Sequence, residues 1–202
     1  MNTLPFFSID EAKENALALN GAFQFYSLSY APTADGGEAF PLGLQRTQEL
    51  VAGVFGFERW SDLIRTLAVG NVHSVYSDSQ GPAGEHYRKL TIRLSPLFSH
   101  EDAERRVYAA LSYSAFGRCP TKRKWARRTM RQMPCKTVEQ WHELQRLEAG
   151  YSYVTRYRSN RTAYEAALLR WEHEKNVAQL LGNPLPRKPR KPQERRMPRV
   201  RI

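Results

Sequence analysis

Two cysteines, five histidines and a dense run of arginine and lysine are the residues whose chemistry has to be decided first. Cys119 and Cys135 are separated by fifteen residues, and His142 follows after six more. Tetrahedral zinc is normally held by closely paired ligands such as Cys-x-x-Cys, which place two donors at each end of a loop. Only one ligand stands at each location here, so no metal is assigned. Pro120 and Pro134 instead mark both cysteines as helix-boundary residues, where a small sulfur side chain packs easily. His73, His86, His100, His142 and His173 share no motif. DNA cleavage through a nucleophilic tyrosine would want a histidine-rich metal cluster, which the sequence lacks, as it lacks a Gly-rich phosphate loop and a serine elbow. The chain reads as a non-enzyme, with no cofactor and no small-molecule substrate.

The second chemistry is electrostatic. Between Arg118 and Lys136, in the segment CPTKRKWARRTMRQMPC and its flanks, eight basic residues occur with no acidic one. At about 100° per residue, Lys124, Arg127, Arg128 and Arg131 fall on one face of a helix, while Trp125, Ala126, Thr129, Met130 and Met133 gather on the other. That pattern predicts an apolar side that packs and a charged ridge that does not. Arginine predominates in the ridge, and its planar fork suits bidentate contact with phosphate oxygens. A helix charged only for solubility would mix Glu with Lys at four-residue spacing, because unrelieved like charges repel. Glu139, Glu143 and Glu148 on the following segment could neutralise part of the ridge. If they do not, an external polyanion completes it, and contact with about six to ten phosphates would lower affinity by about 10³ to 10⁵ between about 50 and 200 mM salt.

Two later features repeat the theme. Tyr151, Tyr153 and Tyr157 stand beside Arg156, Arg158 and Arg161, a mixture that can stack on splayed bases or simply pack where helices meet. Past Gly182, the stretch NPLPRKPRKPQERRMPRVRI holds five prolines and eight basic residues and has little to bury. It predicts an extended, polyproline-like arm carrying Arg187, Lys188, Arg190, Lys191, Arg195 and Arg196. Such an arm can lie along nucleic acid, dock as a proline-rich peptide in a partner groove, or remain a solvated tail.

The elements that must position these residues follow from periodicity. At 202 residues, with 41% hydrophobic side chains, the chain is long enough to fill a core. Its net charge of +11 is unevenly placed: residues 1–100 sum to −3, residues 101–181 to +7 and residues 182–202 to +7. Ser8 and Glu11 fit a capping box that opens a helix over about 9–20. AFQFYSLSY reads as a strand, and residues 71–94 as two further strands joined by SDSQGPAG. Helices are expected at about 42–55, 57–68, 99–116, 121–133, 138–149 and 160–181. The last has apolar residues on two sides, Tyr164/Leu168/Trp171 and Leu169/Val177/Leu180, and should be buried between elements or pair with another chain. The fold class is therefore α+β and predominantly helical, with a small antiparallel strand element in the N-terminal half. It divides into 1–96, an N-terminal scaffold or protein-contact region; 97–181, a basic helical region; and 182–202, an extended tail.

The helical pair in 42–68 imitates a DNA-reading helix-turn-helix, with Ala52 and Gly56 four residues apart. Its second half fails. The positions to be buried would be Asp62 and Arg65, and the outward face would be Trp60, Leu63 and Ile64, which cannot read base edges. The residues GFERWSDL resemble instead the Gly-Phe-x-x-Trp-x-x-Leu helical hairpin of small proteins from bacterial plasmids and other mobile elements. The resemblance covers only these eight residues; it implies a packing unit and a mobile-element setting and transfers no functional residue.

Two cysteines are too few for a secreted disulfide scaffold, and neither a basic leader with an apolar run nor a membrane-spanning stretch is visible, so a cytoplasmic protein with no membrane partner is expected. The expected function is non-enzymatic binding of DNA or RNA backbone, with little base specificity, through Lys122, Arg123, Lys124, Arg127, Arg128 and Arg131 of the basic helix, Arg156 and Arg158, and the arm. The alternative is a small inhibitor or adaptor, of the anti-defence type that mobile elements encode, that binds a protein or ribonucleoprotein complex and competes with its nucleic-acid contacts.

Overall fold

Helix formation starts where the capping signal lies. Ser8 is the N-cap of α1 (Ile9–Phe25), its side chain accepting from the Glu11 amide, while the Glu11 carboxylate accepts from the Phe7 amide at 2.8 Å. The computed structural model describes residues 3–30, 40–70, 72–79, 83–157 and 162–190. These form eight α-helices: α1, α2 (Leu44–Val54), α3 (Trp60–Val69), α4 (Ala83–Leu94), α5 (Ala103–Tyr113), α6 (Pro120–Gln132), α7 (Val138–Tyr157) and α8 (Ala163–Leu181). The protein is predominantly helical. Among the described residues no helix is long and apolar enough to cross a membrane.

The expected antiparallel strand element is not supported. Residues 22–25 of AFQFYSLSY continue α1, and residues 83–94 of the expected hairpin form α4. Among the described residues extended pairing is limited to a two-residue ladder, β1 (Ser29–Tyr30) with β2 (Phe40–Pro41), and isolated bridges at Leu4–Ser74 and Tyr30–Phe98. The reason is physical: Tyr87, Leu90 and Leu94 also satisfy a three-and-four spacing, and with Thr91 they are the buried residues of α4, whereas Ile92 is exposed. In α1, Ala12, Ala16, Leu19, Ala22 and Phe23 continue one helical stripe past Asn20. The SDSQGPAG turn partly, and 31–39 wholly, lie outside the described residues.

The chain divides into two units, Met1–Met133 and Pro134–Ile202. In the first, α1, α2, α4 and α5 surround one core of Leu4, Phe6, Leu19, Phe23, Leu50, Val51, Phe55, Leu63, Tyr87, Val107, Leu111 and Phe116. Phe6 packs edge-on against both Phe55 and Phe116, at 5.7 Å in each case. The GFERWSDL segment is a packing unit here: Gly56 turns at φ 81°, Leu63 is fully buried, and Phe57, Trp60 and Ile64 lie against the core. Gly117 closes the unit at φ +69°, donating to Asn15 Oδ1 at 2.8 Å, and a Cβ there would fall 2.8 Å from Pro5 Cβ. In the second unit α7 and α8 form a helical hairpin, with α8 opened by a full capping box between Thr162 and Glu165. Tyr151 stacks on His173 at 4.3 Å, and Glu148 faces the same imidazole at 3.3 Å. The two apolar sides of α8 are half-buried, and Ala178 is buried.

Candidate nucleic-acid interface

Helix α6 carries the densest positive charge, and the first question is how much of it is free. Cys119 is its N-cap and Pro120 its first residue, so the boundary lies where the proline placed it. Lys122 and Arg123 then sit in the first turn, where the positive end of the helix dipole disfavours cations. Each is compensated from another element. Lys122 Nζ pairs with Asp78 at 3.2 Å, in the turn Ser77–Ser79. Arg123 is 5% exposed and lies between two carboxylates of α1, Glu11 Oε1 at 2.5 Å and Glu14 Oε2 at 3.5 Å. Arg127, one turn on, shares Glu14 at 2.5 Å and is 34% exposed. Glu11 is the hub of this arrangement, since it also accepts from the Tyr76 hydroxyl at 2.9 Å.

These pairs leave their mark on ionisation. The Arg127 hydrogen bond holds the Glu14 carboxyl below its ordinary range, against the opposing effect of burial. At Asp78 burial pushes upward, but hydrogen bonds from Lys122, Cys119 and the backbone outweigh it, and the carboxyl is held low. Burial and the hydrogen bond to Glu11 raise the Tyr76 hydroxyl.

The face of α6 that packs is consequently not the face that hydrophobicity alone selects. Arg123 and Ala126 are buried, Met130 packs against the core, and a Cβ at Gly21 of α1 would sit 3.5 Å from Met130 Cε. Trp125, expected on the packing side, is 71% exposed. Relative to the expected orientation the helix is rotated by about 70°, taking about 100° per residue. The cause is the surface offered by α1: two carboxylates and a glycine, which accept arginine and a slender thioether but give an indole nothing to fill.

The outward face therefore combines Lys124, Trp125, Arg128, Arg131 and Gln132, all exposed. Among the described residues no carboxylate pairs with Lys124, Arg128 or Arg131. Within the second unit Glu143 pairs with Arg146 at 2.6 Å and Glu148 with the His173 imidazole at 3.3 Å. Of the six basic residues assigned to this helix, three are thus fixed by the protein's own carboxylates and three face solvent.

The remaining assigned residues lie in the second unit. Arg156 is in the last turn of α7. Residues 183–190 form neither helix nor strand, and their start folds back onto α8: the Trp171 indole donates to the Pro186 carbonyl at 3.0 Å, and Lys188 lies 5.4 Å above the same ring. Arg187 and Arg190 are exposed. Arg158, Lys191, Arg195 and Arg196 lie outside the described residues.

A second cationic feature escaped sequence reasoning because residues 1–100 are net acidic. A groove of about 1240 Å³ between α2 and α4 is lined by Arg46, Arg59, Lys89 and Arg93, with His86, Glu49 and Glu58. Most of its charge is already used. Arg93 donates to the Val54 carbonyl at 2.8 Å, Lys89 pairs with Glu85 at 3.2 Å, Arg46 stacks on Tyr30 at 4.4 Å, and Glu49 accepts from the Trp60 amide at 3.0 Å. Spacing of Arg46 with Glu49 and of Lys89 with Arg93 was the available signal, and it needed α4 to be read as a helix. Cys119 and Cys135 are both free thiols, and burial raises the latter. Among the described residues no three of His, Cys, Asp and Glu converge as a metal site would require.

No family model matches the chain, and the searches of curated proteins and of solved structures likewise return no match.

Proposed function

We propose that the protein is a non-enzymatic nucleic-acid-binding accessory protein that contacts the phosphate backbone through the outer face of α6, assisted by the basic arm after Gly182, with little reading of base edges. The observation that carries this reading is the trio Lys124, Arg128 and Arg131, exposed along one face and, among the described residues, within ion-pair distance of no carboxylate. Like charges four residues apart repel, and among the described residues acids pair with Lys122, Arg123 and Arg127 but with none of these three. Lys124 to Arg131 spans about 10 Å of helix axis at 1.5 Å per residue, room for about two or three phosphates, far fewer than the full ridge would engage. The compartment that goes with this reading is the cytoplasm, because two cysteines are too few for a secreted disulfide scaffold.

A mobility-shift assay with generic single-stranded and duplex DNA and RNA tests the proposal. Wild type should retard them, and Arg128→Glu/Arg131→Glu should abolish most of the shift. Equal binding by that variant, or no binding by wild type alongside a stable complex with a co-purifying protein, would instead support an inhibitor or adaptor.

A further inference from the structure

The most exposed large apolar side chain on the surface described is the Trp125 indole, at 71%, and it borders the cationic trio. Arg128 is three residues and one turn away on the same face, Lys124 is adjacent, and Arg131 and Gln132 follow one turn beyond. Leaving an indole in water forfeits a large apolar burial. The helix accepts that loss although α6 is firmly docked through Arg123, Ala126 and Met130, so the ring is held out by a fixed orientation of the helix. Its neighbours are cations that, among the described residues, pair with no carboxylate, which disfavours a second copy of this basic chain as its cover and favours an anionic partner with flat apolar faces.

Single-stranded nucleic acid has both properties: every base offers a π-face, and the strand carries phosphates within reach of flanking guanidinium groups. A duplex keeps those faces stacked inside and would have to be unstacked to use the ring. We infer that Trp125 is a base-stacking platform, that Lys124, Arg128 and Arg131 hold the adjoining phosphates, and that the occupant of this face is single-stranded DNA or RNA. This rests on the proposed function and narrows it from a polyanion to an unpaired strand.

The test measures anisotropy of four labelled probes with the full chain: a mixed-sequence single strand as DNA, the same sequence as RNA, the DNA duplex, and heparin, which has charge but no bases. Wild type should bind either single strand more tightly than the duplex. Trp125→Ala should weaken single-strand binding about tenfold, the stacking of one base, and leave heparin unchanged, while Trp125→Phe retains most of the affinity. Because the indole is exposed, circular dichroism should report an unaltered fold. If Trp125→Ala leaves single-strand affinity intact while wild type still binds, the stacking role is wrong and backbone binding stands. Equal losses for heparin and single strand would overturn it as well, by showing a structural role. Trp125-dependent self-association on size exclusion would assign the ring to a second copy. Absence of wild-type binding to every probe would remove the proposed function, and the platform with it.

Discussion

Arg123→Met separates the two roles that charge plays in α6. Arg123 is 5% exposed and contacts Glu11 and Glu14, so methionine replaces a sealed cation by an apolar chain of similar reach. Breaking a buried pair by removing one partner costs about 3 to 5 kcal/mol. Glu11 keeps the Phe7 amide and the Tyr76 hydroxyl, and Glu14 keeps Arg127, so neither carboxylate is orphaned and the lower figure applies. A loss of about 3 kcal/mol in a unit of this size lowers Tm by about 10 °C. Arg127→Met removes a pair whose partner is 48% exposed and should cost only about 0.5 kcal/mol. Thermal unfolding followed by circular dichroism reads both variants. Neither change should alter nucleic-acid affinity of the folded protein by more than about twofold, since the pair involves no outward cation, and 1.4 kcal/mol would be needed for tenfold. The reasoning is refuted if Arg123→Met leaves Tm unmoved and weakens binding, because Arg123 would then belong to the outer face.

Further expectations concern the supports of that face. Gly117→Ala forces a left-handed φ on a side chain 2.8 Å from Pro5 and should cost about 2 kcal/mol or more in chemical denaturation. Asp78 and Glu14 are held low in the folded state, so their stabilising contributions are present above their unfolded values and are lost as pH falls below about 4; Asp78→Asn should blunt that acid transition. Burial and Lys89 hold His86 low, so the unfolded chain gains a proton first as pH drops through about 6.5, and stability falls there unless His86→Gln removes the group. Trp171→Phe removes the 3.0 Å bond to Pro186 and should speed tryptic cleavage after Arg187.

The helical content was legible wherever caps or prolines punctuate the sequence. Ser8 and Pro120 each mark the start of a helix, and the apolar residues of GFERWSDL pack α3 against the core as their spacing suggests. Two classes of information were not local. Whether Tyr87 to Leu94 lies in a strand or a helix depends on what covers it, because a short apolar run satisfies both periods, and the partner surfaces come from α5 and α2. The orientation of α6 depends on Glu11 and Glu14, more than a hundred residues away, and at the capping box Glu11 gives no sign of its second partner. A helical wheel ranks faces by hydrophobicity, so it cannot anticipate that an arginine will be the buried residue and a tryptophan the exposed one.

The central claim is that three outward cations of α6 meet an external strand, and the salt dependence of single-strand binding tests it most directly. For single strands the slope of log K against log salt is about −0.7 per phosphate neutralised. Three contacts correspond to a slope of about −2, or about twentyfold between 50 and 200 mM. The slope for Lys124→Glu/Arg128→Glu/Arg131→Glu should accordingly be shallower than that of wild type by about 2, with Tm essentially unchanged. Identical slopes for the two proteins would contradict the account.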